Sequence, residues 1–416
     1  MRSIIKNIII ENQREILQIT PFQREMVLDD SSNYIFTGLK YVGKTFLMFQ
    51  HIQSLIKRGK ASIDDILYIN FDDERLSTIA EKDLNQIILS YKELYDRQPI
   101  VFLDEIPRVK GWVNFARRLA DAKYRVFITG SNANMLSRDI EIKLNGRYIV
   151  KQLFPFSFFE YTNATGGSIE TKYSDYLDYG GLAEVFDVKC KRDWVNALYQ
   201  KVLLSNIVSQ NNNSDIISTR LFMRKIAESV TQPITQYRLQ QIIRLAGTHI
   251  PLSRISQIVN TLKDTYLVFG LSNYISINRG KTQKFYLYDN GLLNIFISDG
   301  GRKSILLENL VAIEFAKEYG RQKTFYYQHN GVSIDFYIPH IKLAVQTFSD
   351  ITNRCDENSP EVKALVEFNT QYYVDRAIVI TLEESKVIEV GDLTIECIPV
   401  WKWLCQPTVV IIPSAR

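Results

Sequence analysis

The chain has 416 residues, 46% of them hydrophobic and 23% charged, and its formal net charge is only +4. These values are close to the averages of soluble globular proteins, so they exclude a disordered chain, a collagen-like chain and a small disulfide scaffold, and the length predicts two to four domains at ~100–200 residues each. The low net charge also argues against a uniformly basic nucleic-acid coat. With no signal-peptide pattern and no run of ~18 apolar residues, we expect a cytoplasmic protein without a membrane span.

A glycine-rich loop is the first motif in chain order. A predicted helical stretch ends near residues 29–33, and the short β-rich segment 34–37 then leads directly into the loop. The loop matches the pattern G-x-x-x-x-G-K-[ST] and is followed by apolar residues at helical spacing, which is the strand–loop–helix order of a phosphate-binding loop. The residues predicted to contact the nucleotide are Gly38, Leu39, Lys40, Tyr41, Val42, Gly43, Lys44, Thr45 and Phe46.

Each defined position of this pattern has a physical role. Gly38 and Gly43 let the backbone bend and approach phosphates without a Cβ in the way, while backbone N–H groups and the N-terminus of the following helix face the anion. Lys44 places a positive charge near the β- and γ-phosphates, and Thr45 places its hydroxyl on Mg²⁺. The alternative interpretation is a glycine-rich turn that only caps a helix.

An acidic pair follows another predicted strand. The apolar run Ile100–Leu103 is typical of a buried parallel strand, and Asp104 and Glu105 stand at its carboxyl end, where open α/β sheets bind ligands. We expect Asp104 to hold Mg²⁺ through water, and Glu105 to orient or deprotonate the attacking water. Many strands end in acidic turns, so the pair gains its meaning from the phosphate-loop pattern upstream.

Polar residues after a further strand are candidates for sensing the nucleotide. Segments 66–71 and 125–130 fit the same sheet, and Ser131 or Asn132 would sense the γ-phosphate or position water; alternatively, they only cap the next helix. Arg147 is a candidate to reach nucleotide in its own chain or, as an arginine finger, in a neighbouring subunit of a homo-oligomer. A structural surface arginine is the alternative, and Arg138 is a weaker candidate for the same role.

The order of these motifs resembles that of a known family. The segments that carry the resemblance are 38–45, Phe102–Ile106 with Trp112, Ile128–Ser131, Gly146-Arg147 and Leu153–Glu160. They resemble the prokaryotic AAA-type P-loop ATPases that are fused to a C-terminal domain of unknown function. The resemblance covers the whole chain, more loosely after residue 160. One departure is Lys40-Tyr41, where the family's loop often carries a basic pair.

The resemblance implies an α/β fold, with a parallel P-loop NTPase sheet that has helices on both faces. It implies that the catalytic strand lies between the phosphate-loop strand and its neighbour, and that Glu105 is the additional glutamate that supports hydrolysis. A preference for ATP over GTP also rests on the resemblance, and the sequence shows no evident Asn-Lys-x-Asp element for reading guanine.

The middle of the chain is predicted to be mostly helical. Two helices, near 239–245 and from residue 251 onward, are followed by predicted strands at 274–277 and 284–288, an order that resembles a winged helix. Five basic residues in this segment would suit phosphate contacts with DNA: Arg254, Lys263, Arg279, Lys281 and Lys284. The alternative is a packing module with a solvated basic face.

The last third is predicted to contain a helix and three strands, at 306–315, 324–328, 333–337 and 343–347. Relatives in the family often show a restriction-endonuclease-like core here, with a helical Glu, an Asp and a Glu-x-Lys around Mg²⁺. Glu308 and Asp335 match the first two positions, but Gln346 and Phe348 stand in place of the third acid and the lysine. Because an amide lacks the charge that Mg²⁺ prefers and Phe cannot polarise a phosphate, we expect an inactive or repurposed site.

We therefore predict three segments: a P-loop ATPase domain at 1–165, a helical winged-helix-like domain at 166–295 and an α/β nuclease-like domain at 296–416. The leading hypothesis is an ATPase that hydrolyses MgATP to drive or gate interaction with a protein or DNA partner. The alternatives are a nucleotide-gated DNA- or protein-binding module with little turnover, and a DNA-processing enzyme that uses the C-terminal domain.

Overall fold

The structure, a computed structural model, describes residues 1–136, 138–207, 214–245, 247–276, 282–297, 301–350 and 354–405. It describes the side chains of these residues except those between 202 and 219. The chain divides into two compact units, Met1–Phe154 with Asp264–Tyr266, and Pro155–Lys263 with Leu267–Arg416. Among the described residues, no helix combines the length and the apolar character that crossing a bilayer requires.

The first unit is built on a parallel sheet. Its described strands are β1 (Tyr34–Gly38), β2 (Ile66–Asn70), β3 (Ile100–Asp104), β4 (Val126–Gly130) and β5 (Ile149–Leu153). The order across the sheet is β2-β3-β4-β1-β5, and every neighbouring pair is parallel. The predicted parallel sheet and the predicted α/β fold are therefore confirmed.

The position of the strand that carries Asp104 corrects one expectation. β4 pairs with β1 on one side, where Phe36 is opposite Thr129, and with β3 on the other, where Leu103 is opposite Ile128. β3 is therefore separated from the phosphate-loop strand by β4, instead of lying next to it. The apolar character of the strands could not reveal this order, because β1, β3 and β4 are all buried along their whole length, as suits strands covered on both faces.

Helices cover both faces of this sheet, as predicted. They are α1 (Arg2–Gln18), α2 (Lys44–Lys57), α3 (Leu84–Tyr95), α4 (Trp112–Asp121) and α5 (Arg138–Leu144). Successive side chains of a strand point to opposite faces. On one face of the sheet, Ile35 and side chains of β2, β3 and β4 pack against α1, α3 and α4 in a single hydrophobic core. On the other face Phe102 stacks on Phe127, with ring centroids 4.6 Å apart, and His51 of α2 packs against Phe127.

The first helix ends earlier than the sequence suggested. α1 ends at Gln18, and most of the residues from 19 to 33 form neither helix nor strand. Pro21 explains the difference, because a proline disfavours helical backbone in the residue before it. The segment between α1 and β1 is therefore irregular, and its Arg24 side chain contacts the phosphate loop at the Val42 carbonyl oxygen.

The second unit is built on a mixed sheet. Its described strands are β6 (Ile234–Thr235), β7 (Val268–Asn273), β8 (Thr282–Leu287), β9 (Phe325–His329), β10 (Val332–Ile338), β11 (Leu343–Phe348), β12 (Arg376–Thr381), β13 (Lys386–Val390) and β14 (Leu393–Pro399). The order across the sheet is β13-β14-β12-β11-β10-β9-β7-β8-β6.

The helices after residue 154 are α6 (Phe158–Thr165), α7 (Ile169–Tyr179), α8 (Lys191–Ile207), α9 (Ser214–Glu228), α10 (Gln236–Leu245), α11 (Leu252–Asp264), α12 (Asn290–Asn294), α13 (Arg302–Glu318), α14 (Pro360–Gln371) and α15 (Val400–Leu404). They agree with the mostly helical middle segment. They also agree with the amphipathic helix predicted at 306–315, which lies within α13.

The three predicted segments correspond to two compact units. β7 pairs in parallel with β9, with Ser272 opposite Phe325, so one sheet runs across the predicted boundary at 295/296. The first boundary also differs, because the first unit ends at Phe154 and α6 belongs to the second unit. Backbone pairing between distant segments sets both differences, and local composition does not reveal it.

One strand of the predicted winged-helix-like segment lies earlier than expected. β7 spans 268–273, whereas the prediction was 274–277; Tyr274–Ser276 form a short 3-10 helix, and residue 277 lies outside the described residues. The Tyr274 ring packs edge-on against Tyr337 and Tyr372, at centroid distances of 4.9 and 5.6 Å. The short helix that ends β7 thus places Tyr274 in an aromatic cluster.

Candidate nucleotide-binding site

The glycine-rich loop lies between β1 and α2, at the carboxyl end of the parallel sheet. Gly38 has φ +147°, and a Cβ at this position would overlap the carbonyl oxygen of Leu153 at the end of β5. Gly43 caps α2 with φ +91°, and Tyr41 between them also has a positive φ, of +67°. Such turns bring backbone N–H groups together into an anion-binding concavity, as a phosphate site requires.

The side chains of the loop differ in exposure. Leu39 and Val42 are each 1% exposed and anchor the loop in the core. Lys40 and Tyr41 are half-buried, with the Lys40 ammonium 5.6 Å from the Tyr41 ring. Phe46 is 45% exposed, in the first turn of α2. The loop is thus held by its two apolar residues.

Lys44 is the buried cation of the site. Its ammonium donates to the carbonyl oxygens of Gly38 and Leu39, at 3.2 and 3.1 Å, and to the Ser131 hydroxyl, at 2.8 Å. It also lies 3.6 Å from a carboxylate oxygen of Glu105. Burial lowers the pKa of Lys44 below its usual value, and the charges of Glu105 and Asp104 oppose that shift.

Asp104 is completely buried at the end of β3 and is surrounded by hydroxyl groups. Thr45 and Tyr68 donate to its Oδ2, at 2.6 and 2.7 Å, and Thr129 donates to its Oδ1. Burial raises the pKa of Asp104, and the hydroxyl donors of Thr129 and Thr45 act in the opposite direction. Asp104 therefore sits beside Thr45, as the sequence predicts.

These two residues fit a magnesium site. Mg²⁺ takes oxygen ligands and is commonly bound through one or two carboxylates together with substrate phosphates. Asp104 supplies a carboxylate and Thr45 a hydroxyl, 2.6 Å apart, at the N-terminus of the helix that follows the phosphate loop. The donor set is therefore of the kind that Mg²⁺ prefers.

Glu105 adopts a backbone conformation that is uncommon for its residue type. Its φ is +53°, in the left-handed region that non-glycine residues seldom occupy. Its N–H donates to the Thr129 hydroxyl at 2.8 Å, and its carboxylate accepts hydrogen bonds from the Ser131 hydroxyl and, at 3.2 Å, from the Ser131 N–H. Residues held in such conformations cluster at functional sites, and Glu105 is held here by β4.

The structure distinguishes the two candidate sensors. Ser131 donates to Glu105 and accepts from Lys44, so it lies between the two residues that the sequence singled out. The Asn132 side chain instead accepts the N–H of Asn134 at 2.8 Å. This is the capping contact that the sequence offered as the alternative for Asn132.

The two candidate arginines have different surroundings. Arg147 forms an ion pair with Asp121 of the same chain, in the last turn of α4, and its side chain is 39% exposed. Arg138 is exposed at the start of α5. A role of either residue at a nucleotide stays a prediction.

Three contributors to the site were missed at the sequence level. Tyr68 of β2 and Thr129 of β4 bind Asp104, and burial, followed by the charge of Asp104, raises the pKa of Tyr68 well above its usual value. The guanidinium of Arg24 donates to the carbonyl oxygens of Val42 and Phe154. The Thr129 signal was available in the segment Ile128–Ser131. The contact of Tyr68 depends on strand order, and that of Arg24 depends on the path of the irregular segment before β1.

The predicted DNA-contacting residues are only partly at the surface. Lys284 is 3% exposed and pairs with Glu308 and Asp335, so its predicted role in phosphate contact is wrong. Lys263 donates to Gln283 at 2.8 Å, and Arg254 donates to Gln257 at 2.9 Å. Arg279 and Lys281 lie outside the described residues.

Comparisons with known proteins agree with the site. Residues 30–162 match the model of an AAA domain, and residues 170–302 match that of a domain of unknown function (DUF8612). An uncharacterized protein of Methanocaldococcus jannaschii is 27% identical, over 88% of this chain and 86% of its own length. An uncharacterized protein of Haemophilus influenzae is 28% identical, over 68% of this chain and 74% of its own length.

A solved structure is also similar in part. The Walker-type ATPase of Pyrococcus abyssi aligns with 68% of this chain and 99% of its own, at 14% identity and a TM-score of 0.37. That likeness is too weak to carry over a function. The AAA-domain match spans the phosphate loop, the acidic pair and Ser131.

Proposed function

We propose that this chain is an AAA-type P-loop ATPase that binds and hydrolyses ATP, and the match of residues 30–162 to an AAA domain supports the proposal. The observation that carries the proposal is the convergence of Lys44, Ser131 and Glu105 beside the Thr45–Asp104 pair. Phosphoryl transfer needs a cation at the phosphates, a metal-binding pair and a residue that positions water. Each of these is present at one edge of the parallel sheet.

The proposed roles follow from the contacts. The backbone of residues 38–44 and the Lys44 ammonium bind the phosphates, and the ammonium exchanges its carbonyl partners for phosphate oxygens. Thr45 and Asp104 would hold Mg²⁺, which when bound neutralises charge on the phosphate oxygens. Glu105 orients the attacking water and accepts its proton.

Ser131 would link binding to hydrolysis. Its hydroxyl contacts both Lys44, which binds phosphate, and Glu105, which acts on water. A shift of the Lys44 ammonium towards a phosphate therefore changes the hydrogen bonds that hold the Glu105 carboxylate. We infer that Ser131 positions Glu105 in response to the terminal phosphate.

Phosphate release from MgATP tests the proposal. The wild-type chain should release phosphate in the presence of Mg²⁺ and lose this activity on chelation with EDTA. Lys44→Ala should reduce kcat/KM at least ~100-fold, since the loss of charge-assisted hydrogen bonds to phosphate is worth about 3 kcal/mol. Lys57→Ala, at the exposed end of the same helix, is the matched control. Equal activity of Lys44→Ala and wild type would refute the proposal.

A second candidate function is nucleotide-controlled DNA binding with little turnover. The observation that favours it is the order β6-α10-α11-β7-β8, in which β8 pairs antiparallel with both β6 and β7. Two helices followed by such a ribbon resemble the arrangement of a winged helix, and this resemblance supports the second candidate. The outer face of α11 carries Arg254, Gln257 and Asn260, and the last two are exposed. Arginine and amide side chains are those that read base edges in the major groove.

Turnover measured with and without duplex DNA separates the two candidates. An ATPase that engages DNA should be stimulated several-fold, and Arg254→Ala with Gln257→Ala should remove the stimulation without changing the rate in the absence of DNA. ATP-dependent DNA binding without measurable phosphate release would favour the second candidate. Turnover that is indifferent to DNA would favour a protein partner instead.

A further inference from the structure

A buried cluster of charges joins three elements of the second unit. Lys284 of β8 is 3% exposed, and its ammonium lies 3.1 Å from Glu308 of α13 and 3.1 Å from Asp335 of β10. Tyr286, two residues along β8, donates its hydroxyl to Glu308 at 2.8 Å. The two carboxylates thus converge on one cation, which is a lysine side chain.

These carboxylates are the residues that resemble the first two positions of a restriction-endonuclease-like magnesium centre. The second carboxylate oxygen of Asp335 and the Gln346 amide already have hydrogen-bond partners within the chain. The hydroxyl and N–H of Thr347 donate to Asp335 Oδ2, at 2.9 and 3.1 Å. The Gln346 amide forms two hydrogen bonds with the backbone of β10. It accepts from the Asp335 N–H and donates to the Ser333 carbonyl oxygen. The side chains present therefore do not fit a resident Mg²⁺.

The electrostatics of the cluster favour the ammonium. Burial acts to lower the pKa of Lys284, but the charges of Glu308 and Asp335 outweigh it, so the pKa lies above its usual value. Burial, and then the proximity of Asp335, raises the pKa of Glu308 to about 7. Two carboxylates so close together in a buried site need a cation between them.

We propose that the ammonium of Lys284 permanently takes the place of a divalent cation between Glu308 and Asp335, so that this centre is a structural clamp. The clamp joins β8 of the winged-helix-like segment to α13 and β10 of the nuclease-like segment. Its positive charge comes from the chain itself, and no cleavage chemistry is left at the site. Removal of the ammonium leaves two carboxylates that can bind a metal ion.

Binding of Mn²⁺ to the full-length chain without nucleotide tests the proposal, by titration calorimetry and electron paramagnetic resonance. Lys284→Ala should bind one more Mn²⁺ per chain than the wild type, and Lys284→Ala with Glu308→Gln should lose this gain. The Tm of Lys284→Ala should fall by about 5–10 °C, because a buried charge loses its partner. Mn²⁺ should restore part of that loss, whereas the wild-type Tm should not respond at this centre.

The wild-type centre provides a second arm, which holds even if Lys284→Ala does not fold. Glu308→Gln should leave Mn²⁺ binding as in the wild type, and so should Glu314→Gln, a matched substitution on the same helix. The proposal would be overturned if Glu308→Gln bound one Mn²⁺ ion fewer than the wild type while Glu314→Gln bound as many as the wild type. A folded Lys284→Ala that gains no Mn²⁺ would overturn it as well.

Discussion

Ser131 bridges the phosphate-binding cation and the proposed catalytic carboxylate. It accepts from Lys44 and donates to Glu105, with both contacts in a half-buried setting. The sequence could place a polar residue after β4, but it could not decide between Ser131 and Asn132. That choice depends on which side chain faces α2, and this follows only from the sheet order.

Ser131→Ala should lower kcat about 10- to 100-fold while KM changes little, because a hydrogen bond to a charged group is worth ~1.5–3 kcal/mol. Steady-state kinetics of phosphate release measure both parameters. Asn132→Ala should keep near-wild-type kcat, since Asn132 only caps a turn. If the two variants had equal kcat, the bridging role of Ser131 would be wrong.

His51 is a buried neutral side chain in the same helix as Lys44. It is 7% exposed, packs against Phe127 with ring centroids 4.8 Å apart, and has no hydrogen-bond partner for Nε2 among the described residues. Burial lowers the pKa of His51 to about 4; the charge of Asp30 opposes this shift, and those of Arg58 and Arg125 add to it. The unfolded chain would protonate the same group near pH 6.5.

The first unit should therefore lose stability as the pH falls from about 6.5 to 4. In this window the unfolded state binds a proton that the folded state does not, so the free energy of unfolding falls, by up to about 3 kcal/mol from this group. His51→Phe should flatten the dependence in this window. Hydrogen exchange in β1 and β4 across this pH range measures it, and an unchanged slope in the variant would contradict the assignment.

At the scale of elements, four strands of the first unit, β1 to β4, were predicted from the sequence, whereas the mostly exposed β5 and the order of the strands were not. Runs such as Ile100–Leu103 are apolar throughout, and the structure buries them on both faces. Strand order, by contrast, depends on pairing between distant segments. For this reason Tyr68, which reaches Asp104 from β2, carried no signal in its own segment.

The junction of β1 and the phosphate loop is the tightest point of the site. Gly38 combines a positive φ with contact against the end of β5, whereas Gly59, with φ +66°, has no atom within 4 Å of an added Cβ. Replacement of each by alanine therefore separates steric overlap from backbone strain. Both variants are strained by the positive φ of the replaced glycine. Only in Gly38→Ala does the new Cβ also overlap Leu153, so that either β5 or the loop must move.

Gly38→Ala should destabilise the first unit by about 3 kcal/mol or more, against ~1 kcal/mol for Gly59→Ala. It should also weaken ATP binding, because the loop backbone moves, while Gly59→Ala should bind ATP normally. Calorimetric unfolding and nucleotide titration measure the two effects. Equal losses of stability in the two variants would show that the close contact between position 38 and Leu153 does not add to the destabilisation.

On the scale of the whole molecule, the sequence predicted more segments than there are compact units. The nine described strands of the second unit form one sheet across the boundary expected at 295/296. Lys284 illustrates why. It looks like a surface cation in its own strand, but its partners lie on α13 and β10. Period-two alternation places Lys284 and Tyr286 on the same face, and only the fold shows that this face is buried.

The nucleotide site is proposed to separate binding, by Lys44 and Thr45, from the activation of water, by Glu105. Glu105→Gln keeps the shape of the side chain and its contact with Ser131, but it removes the base. The most direct measurement is ATP affinity and single-turnover phosphate release for this variant beside the wild type. We predict an affinity within a few-fold of the wild type and release slowed at least ~100-fold. Release at the wild-type rate would contradict the role of Glu105 and, with it, the proposed mechanism.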